Sequence, residues 1–280
     1  MIYIELCFLF MAQVTIVTND IELPVWLNKL YPYTNRVSGY AEASTVMTIT
    51  NQSGEYTFCY EGRLICGLSR NGLYYVVYEV LQEIAEKNFL SYRTDVLHGA
   101  CVEKEGKALV FLAGTNTGKS TLTAELIHQG YRYISDDYVI LSKDNTGIIP
   151  FHLPLKLRTL EFTTTVEENQ IVVRDFNPVK NENYYLIQPE AFSQNKIYPV
   201  QAVFQIERTQ NENIMRRLKC NEAFGTIVSY SKIADRNSIK KLMTSALSLA
   251  RIIEVYKIYF TRTENCINYI KKTIGEKQDV

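Results

Sequence analysis

Hydrophobic and polar residues alternate in short runs over the first 70 positions of the chain. Runs rich in β-branched and aromatic residues predict strands, and Asn-Asp, Asn-Gln-Ser-Gly and Glu-Gly turn signals separate them. The predicted strands are Met1–Met11, Gln13–Thr18, Ser44–Thr50, Tyr56–Tyr60 and Arg63–Leu68. From Leu73 to Phe89, apolar residues recur at helical intervals on one broad face. The first part of the chain is therefore predicted to be β-rich and to end in a helix.

The middle of the chain is predicted to place a helix between buried strands. Val96–Val102 and Ala108–Leu112 are apolar runs of buried-strand type, joined by a Glu-Lys-Glu-Gly-Lys turn. A helix is predicted to begin near Thr121, where apolar residues take up helical spacing, and Gly130 is a suitable stop. Tyr131–Leu141 is a further apolar run that predicts a buried strand.

The last third of the chain begins with a polar stretch. Residues 161–185 are rich in Thr, Glu and Asn and only weakly periodic, which indicates a long surface loop or lid. The elements predicted beyond it are a strand at Val200–Arg208, helices at about 220–230 and 236–250, a strand at Val255–Thr261 and a helix at Glu264–Ile274. Because no repeat or linker divides the chain, we expect two packed regions, a β-rich part at 1–90 and an α/β (α+β) part at 91–280.

Composition excludes several classes of function. Hydrophobic residues make up 46% of the 280 positions, which is enough for a sizeable core. Thirty acidic and thirty basic residues give a formal net charge of zero, which argues against an electrostatic nucleic-acid binder. The six cysteines are scattered without a Cys-x-x-Cys pair. Met1–Met11 lacks a basic start and is too short to span a membrane. A cytoplasmic protein with reduced thiols is the expectation.

The stretch from Ala113 to Thr121, Ala-Gly-Thr-Asn-Thr-Gly-Lys-Ser-Thr, predicts a phosphate-binding loop of the Walker A type. Successive backbone N–H groups and the helix N-terminus would face a polyphosphate. Lys119 would reach the β- and γ-phosphates, and the hydroxyl of Ser120 would bind Mg²⁺. Ala113 stands where the motif has its first Gly, and Asn116 is a residue that tolerates a left-handed backbone. An ordinary helix-entry turn is the alternative.

Two further polar groups accompany the loop. Asp136 and Asp137 end an apolar strand. Because side chains alternate faces along a strand, one carboxylate is expected at the Mg²⁺–phosphate end while its neighbour faces elsewhere or faces a second ligand. His98, followed by Gly99, precedes the loop. An ordinary strand end is the alternative for the Asp pair, and composition alone favours a structural role for His98.

Together these motifs resemble the catalytic domain of the HPr kinase/phosphorylase family. The resemblance rests on the order of His98-Gly99, the Ala113–Ser120 loop, Gly130-Tyr131-Arg132 and Asp136-Asp137, and it covers roughly residues 95–160. It implies a P-loop core similar to that of ATP-dependent phosphoenolpyruvate carboxykinase. It also implies ATP as the phosphoryl donor and Mg²⁺ as the cofactor.

The resemblance implies a role for each of these residues. Asp137 would be the catalytic base, and Asp136 with Ser120 would hold the metal. Lys119 would offset charge between the β- and γ-phosphates, and His98 would lie beside the phosphates or the acceptor. The donor-binding residues are expected to be Ala113, Gly114, Thr115, Asn116, Thr117, Gly118, Lys119, Ser120 and Thr121.

The acceptor is expected to be a serine hydroxyl. No Glu-x-Arg-Gly stretch of the kind that accompanies phosphorylase activity occurs in the sequence, so kinase activity is favoured over the reverse reaction. Smaller HPr-kinase-like proteins phosphorylate the C-terminal Ser of ribosomally made precursor peptides, or free serine. Their Pro-Leu-Lys segment is similar to Pro154-Leu155-Lys156-Leu157-Arg158. Lys156 or Arg158 could steady the transferring charge, and a solvated basic turn is the alternative.

A second class of function stays open. A nucleotide-binding regulatory NTPase would need the loop but no phosphoryl acceptor, and the Asp136-Asp137 pair with His98 favours the kinase over it. Decarboxylation of the carboxykinase kind is disfavoured, because the chain is short and has no clear arginine set for oxaloacetate. GTP or pyrophosphate as the donor stays open, as does a homo-oligomer.

Overall fold

The described part of the chain is built of mixed β-sheets and α-helices. A computed structural model describes residues 1–8, 12–31, 34–37, 45–91, 95–142, 144–160, 166, 171–177, 182–194, 196–232 and 238–276. The elements of the first half are β1 (Ile2–Phe8), β2 (Ala12–Thr18), α1 (Leu23–Leu30), β3 (Thr34–Val37), β4 (Thr45–Gln52), β5 (Glu55–Tyr60), β6 (Arg63–Leu68), α2 (Arg70–Ser91), β7 (Val96–Leu97), β8 (Gly99–Lys104), β9 (Lys107–Leu112), α3 (Lys119–His128), β10 (Arg132–Ser135) and β11 (Val139–Leu141). The later elements are β12 (Gly147–Ile149), β13 (Leu155–Leu157), β14 (Ile171–Asn177), β15 (Glu182–Ile187), β16 (Tyr198–Arg208), β17 (Ile214–Arg217), α4 (Cys220–Ser229), β18 (Ser231–Lys232), α5 (Ser238–Ile252), β19 (Glu254–Phe260) and α6 (Thr263–Ile274). This content confirms the predicted α/β (α+β) class.

The chain divides into two compact units. The first consists of Met1–Tyr92, His152–Glu161 and Val166–Gln188, and the second of Arg93–Phe151, Phe162–Thr165 and Pro189–Val280. The division predicted from the sequence places residues 152–188 entirely with the second region. The described strands of that segment instead join the first unit, where β14 packs against α2.

The first unit contains two sheets and the long helix α2. The larger sheet has the order β3-β1-β2-β4-β5-β6, with β2 and β4 parallel. In β5 the alternate side chains of Tyr56, Phe58 and Tyr60 are buried, as expected for a strand with one face on a core. β13, β15 and β14 form a separate antiparallel sheet. Helix α2 buries apolar residues at helical spacing, including Leu73, Val77 and Leu81.

The second unit contains a ten-stranded sheet in which β9 is central. Its order is β10-β8-β9-β16-β12-β11-β7-β18, and β19 pairs with β16. β16 runs parallel to both β9 and β19. β8 is antiparallel to β9 and to β10, so β10 also runs in the direction of β9. The carboxyl ends of these four parallel strands therefore meet at one edge of the sheet, where ligands bind in open α/β sheets.

Helices cover both faces of this sheet. Val110 and Leu112 of β9 belong to a core that also contains residues of α4 and α5. Leu109 and Phe111 point to the other face and pack with residues of α3 and α6. Because every residue of β9 from Ala108 onward is buried, the strand is a continuous apolar run in the sequence. Among the described residues, no helix is long and apolar enough to cross a membrane.

Two predicted strands are interrupted. His98 separates β7 from β8, and Asp136 to Tyr138 separate β10 from β11. The two breaks lie opposite each other, because β8 pairs with β10 on one side of them and β7 pairs with β11 on the other. His98 and the Asp136-Asp137 pair thus lie where both of the paired segments depart from regular sheet geometry.

The predicted polar loop at 161–185 is wrong where the structure describes it. Ile171–Asn177 and Glu182–Ile187 are antiparallel strands, and the residues at 161–165, 167–170 and 178–181 lie outside the described part. The strands form because Val173, Tyr184 and Leu186 are buried, a pattern that the polar residues between them conceal in the sequence. A lid at this place is therefore not supported by the described strands.

Candidate active site

The predicted phosphate loop lies between a strand and a helix. β9 ends at Leu112, and α3 begins at Lys119. Gly118, the residue before the helix, has φ 95°, and Asn116 has φ 65°, so the loop uses the left-handed conformation that Asn tolerates. The hydroxyl of Thr117 donates a hydrogen bond to the carbonyl oxygen of Gly114 at 2.9 Å. This turn leaves the first backbone N–H groups of α3 at the sheet edge, where they can donate hydrogen bonds to an anion.

The side chain of Lys119 turns from the loop toward the aspartate pair. Its Nζ donates a hydrogen bond to Asp137 Oδ1 at 3.0 Å and lies 4.0 Å from Asp136 Oδ1. The side chain is 8% exposed, so its charge is held almost entirely by protein groups. A buried ammonium of this kind needs such partners, because an unpaired buried charge is costly.

Asp136 is the buried member of the pair. Its Oδ2 accepts a hydrogen bond from the hydroxyl of Ser120 at 2.6 Å, whereas its Oδ1 has no hydrogen-bond partner. Burial, followed by the neighbouring charge of Asp137, raises the pKa of Asp136 to about 6. An under-satisfied carboxylate oxygen beside a serine hydroxyl is a site prepared for a further partner.

Asp137 is the more exposed member of the pair. Its side chain is 35% exposed, against 5% for Asp136. Burial raises the pKa of Asp137, but the charge and hydrogen bond of Lys119 outweigh burial and hold the pKa below its usual range. We expected the two carboxylates to face apart, but both approach Lys119. The reason is that Asp137 follows the end of β10 in a left-handed conformation, with φ 65°, so strand alternation does not apply.

His98 lies next to Asp137 at the other chain break. Its Nδ1 is 4.0 Å from Asp137 Oδ1, and its backbone N–H donates to the carbonyl oxygen of Tyr230 at 2.6 Å. Burial, followed by the charge of Lys119, lowers the pKa of His98, so the ring is neutral near pH 7. A Cβ on Gly99 would lie 2.7 Å from the carbonyl oxygen of Phe111, so the residue after His98 has to be glycine.

The oxygen donors at the loop fit a magnesium ion. Ser120 and Asp136 supply a hydroxyl and a buried carboxylate with one unpartnered oxygen. The described residues contain no group of three or more His, Cys, Asp and Glu side chains that could hold a metal alone. Mg²⁺ is ordinarily bound by one or two carboxylates together with substrate phosphates and water, so this sparse set suits it.

Lys156 is located in the first unit. Its Nζ lies 4.8 Å from the ring centroid of Tyr75, within 6 Å of the rings of Tyr78 and Tyr184, and 3.6 Å from Glu79 Oε1. The alternative of a solvated basic turn is therefore wrong for Lys156, because aromatic rings surround its ammonium. Arg158 is exposed.

The structure also brings two cations to the site that the motifs did not indicate. Lys232 lies over the ring of Tyr138 at 3.6 Å, and its charge acts on both His98 and Asp137. Arg208 ends β16 beside the loop. The sequence signal for Arg208 was its position at the end of a predicted strand.

Comparison with known proteins gives a partial match. No family model matches the chain. The chain is 34% identical over 67 residues to proteins named HPr kinase/phosphorylase from Bordetella pertussis, Bordetella parapertussis and Bordetella bronchiseptica. The match covers 24% of this chain and 22% of each relative. The resemblance to HPr kinases is thereby confirmed for that segment, which spans about a fifth of the length of these relatives.

A solved structure is also similar. It is described as the HPr(Ser) kinase/phosphatase from Coxiella burnetii and has 14% sequence identity, with 64% of this chain and 93% of that chain covered. The TM-score is 0.33.

Proposed function

We propose that this chain, which is similar to HPr kinases over part of its length, transfers the γ-phosphate of ATP to a serine hydroxyl. The hydroxyl would belong to a peptide, to a protein or to free serine. The observation that carries the proposal is the convergence of Lys119, Asp136 and Asp137 at the end of the phosphate loop. A regulatory NTPase would need the loop and its lysine, but it would not need an accessible carboxylate on the acceptor side.

The donor side is formed by the loop and Lys119. Backbone N–H groups from Gly114 to Lys119 receive the β-phosphate, and the ammonium of Lys119 offsets negative charge at the oxygen between the β- and γ-phosphates. Lys119 is the first residue of α3, so the helix N-terminus and the ammonium would act on the same phosphates. Positioning and charge stabilisation are the main contributions a protein makes to phosphoryl transfer.

The acceptor side is formed by Asp137. Its carboxylate is partly exposed and its lowered pKa keeps it ionised, so it can accept a proton from an incoming hydroxyl. The seryl oxygen forms a bond to the γ-phosphorus as the bond from that phosphorus to the β–γ bridging oxygen breaks. The electron pair leaves with ADP, and the seryl proton goes to Asp137. The neutral ring of His98, 4.0 Å from Asp137, is placed to orient the acceptor.

Ser120 and Asp136 are the residues that would hold Mg²⁺. When bound, the ion supplies positive charge to the phosphates of the donor. Asp136 fits this role better than Asp137 because it is buried beside Ser120 and has an oxygen without a hydrogen-bond partner. The difference in exposure between the two carboxylates supports this proposed division of roles.

A transfer assay tests the proposal. The purified full chain is incubated with γ-labelled ATP, Mg²⁺ and three acceptors: a peptide with an internal Ser, a peptide ending in Ser, and free serine. We expect Lys119→Ala and Asp137→Asn each to lower transfer on the order of 10²- to 10³-fold, as removal of a transition-state contact does. Lys107→Ala is the matched control, since Lys107 is exposed at the opposite end of β9.

Two outcomes would contradict the proposal. Transfer that persists in both site variants would show that the assigned site is wrong. ADP formation by the wild type without any phosphorylated acceptor would favour the regulatory NTPase.

A further inference from the structure

Arg208 lies at the same sheet edge as the phosphate loop. β16 pairs in parallel with β9, and the last partners are Gln205 and Leu112. Beyond that pair, β9 turns into the loop, whereas β16 continues to Arg208. In the strand order, β8 and β10 lie on one side of β9, and β16 lies on the other. The Asp pair follows the end of β10. The loop is therefore flanked by carboxylates on one side and by Arg208 on the other.

The guanidinium of Arg208 is close to the loop. A Cβ built on Gly118 would lie 3.8 Å from Nη2 of Arg208. The same Nη2 donates a hydrogen bond to the hydroxyl of Thr263 at 3.4 Å, and the guanidinium carbon is 5.7 Å from the ring centroid of Phe260. Phe260 is also the register partner of Arg208 in the sheet. These contacts position the group beside the residue that precedes Lys119.

The negative charges of the two carboxylates and of a bound nucleotide would favour a further cation at the site. Lys119 is the motif's own cation, but two carboxylates already surround its ammonium. A nucleoside triphosphate adds several negative charges, which Lys119 would share with Asp136 and Asp137. Arginine remains charged at any working pH, and its planar group can donate two parallel hydrogen bonds to a phosphate.

We propose that Arg208 binds the phosphates of the nucleotide donor from the side of the loop opposite the aspartate pair. The inference rests on the proposed function, since it concerns the same donor. It assigns to the end of β16 a phosphate contact that no feature of the loop motif specifies.

The test measures nucleotide affinity, which does not require a known acceptor. Calorimetric titration with ATP and Mg²⁺ compares the full-length wild type with Arg208→Gln, Arg208→Lys and Arg216→Gln. We expect Arg208→Gln to weaken ATP binding by about tenfold to hundredfold, the usual loss for a hydrogen bond to a charged group. Arg208→Lys should recover part of the affinity because it keeps the charge but not the planar group. Arg216→Gln, which removes a surface ion pair with Glu222, should bind ATP like the wild type.

Added KCl distinguishes a phosphate contact from a structural role. Affinity of the wild type should fall more steeply with KCl than that of Arg208→Gln, because the variant has lost one screened charge interaction. Equal ATP affinity of wild type and Arg208→Gln, or equal slopes with KCl, would overturn the inference and leave the kinase proposal standing. A wild type that binds no ATP would overturn both. Thermal unfolding without ligand verifies that each variant is folded.

Discussion

A buried aspartate in each unit shows two different uses of the same side chain. Asp20 in the first unit accepts the backbone N–H of Glu22 on one oxygen, at 2.8 Å. Its other oxygen accepts the hydroxyl of Tyr56 at 2.7 Å and the amide of Asn51 at 3.3 Å. Burial raises the pKa of Asp20, but these hydrogen bonds outweigh it and the net shift is downward. Asp136 in the second unit has one oxygen without a hydrogen bond and a raised pKa.

The difference separates a stabilising carboxylate from one prepared for a ligand. When both oxygens of a carboxylate accept hydrogen bonds, these bonds lower its pKa, and the carboxylate contributes to the stability of the fold. A carboxylate that is buried and incompletely hydrogen-bonded is unfavourable in the isolated chain. Its remaining oxygen gains a partner only when a ligand binds. Perturbed groups of the second kind concentrate at functional sites. Variants of Asp136 and of Asp20 test this difference.

Asp136→Asn is expected to have the largest effect, and the effect is on activity. Phosphoryl transfer should fall on the order of 10²- to 10³-fold, because the variant lacks the carboxylate that is proposed to hold Mg²⁺ at the donor phosphates. The free energy of unfolding without nucleotide or Mg²⁺ should not decrease, since the raised pKa means that ionised Asp136 is disfavoured in the fold. Labelled transfer and urea unfolding of the same preparation measure both quantities. A large loss of stability would remove the contrast with Asp20.

Asp20→Asn is expected to produce the reverse result. The free energy of unfolding should fall by about 1–3 kcal/mol, because charge-assisted hydrogen bonds from Tyr56 and Glu22 are weakened or lost. Phosphoryl transfer by the folded variant should be unchanged. Urea unfolding measures the first quantity, and Tyr56→Phe, which removes one donor, should show a smaller loss. Unchanged stability in Asp20→Asn would mean that the network contributes nothing.

The stabilising effect of Asp20 should depend on pH. Its pKa is lower in the folded than in the unfolded chain, where a value of about 3.9 is usual. The contribution is therefore fully present above about pH 4 and is lost as the pH falls through the lower, folded pKa. Urea unfolding from pH 7 to pH 3 should show the gap between wild type and Asp20→Asn narrowing at the acid end. A gap that is constant or widens there would contradict the assigned direction.

Lys156→Gln should affect stability modestly and nucleotide binding not at all. The change removes the ammonium from the rings of Tyr75, Tyr78 and Tyr184, which we expect to cost about 1 kcal/mol. Lys156→Arg keeps a cation and should lose less. Lys29→Gln, at an exposed position of α1, is the control. Thermal unfolding and ATP titration measure the two properties, and weakened ATP binding in Lys156→Gln would contradict the structural role.

Asn116→Gly is expected to have the smallest effect. Asn116 has φ 65°, which glycine adopts without strain, so transfer activity should be kept or slightly raised. Asn116→Val should lower activity, because a β-branched residue is disfavoured in that conformation. Steady-state transfer measures both variants. A large loss in Asn116→Gly would indicate that the side chain of Asn116, rather than its backbone conformation, matters for the loop.

The sequence predicts the parts of the site that depend on neighbours along the chain. β9, the loop and α3 follow from an apolar run, a Gly-Lys-Ser sequence and helical spacing, and the structure has them in that order. The left-handed backbone at Asn116 was also foreseeable, because few other residues tolerate it. Such features are encoded within about ten residues, where local conformational preference decides.

The rest depends on contacts between distant segments. The breaks at His98 and at Asp136 lie opposite each other in the pairing of two distant segments, which local periodicity does not reveal. The approach of both carboxylates to Lys119 requires the left-handed turn at Asp137, where aspartate was not expected to leave the strand. Arg208 comes to the loop only through the register of β16 on β9. β14 and β15 were missed because a polar stretch separates the buried Val173 of β14 from the buried Tyr184 and Leu186 of β15.

The discontinuity of the first unit has a consequence for folding during synthesis. Its chain is complete only when residue 188 has left the ribosome, after β9, the loop and α3 of the second unit have already been made. Domains generally fold as units as they emerge, and α2 packs against β14 as well as against earlier strands, so the part of α2 that β14 contacts would stay uncovered until β14 is made. A ribosome paused between residues 92 and 188 would therefore hold an incomplete first unit, which makes this interval the one most exposed to proteolysis and aggregation.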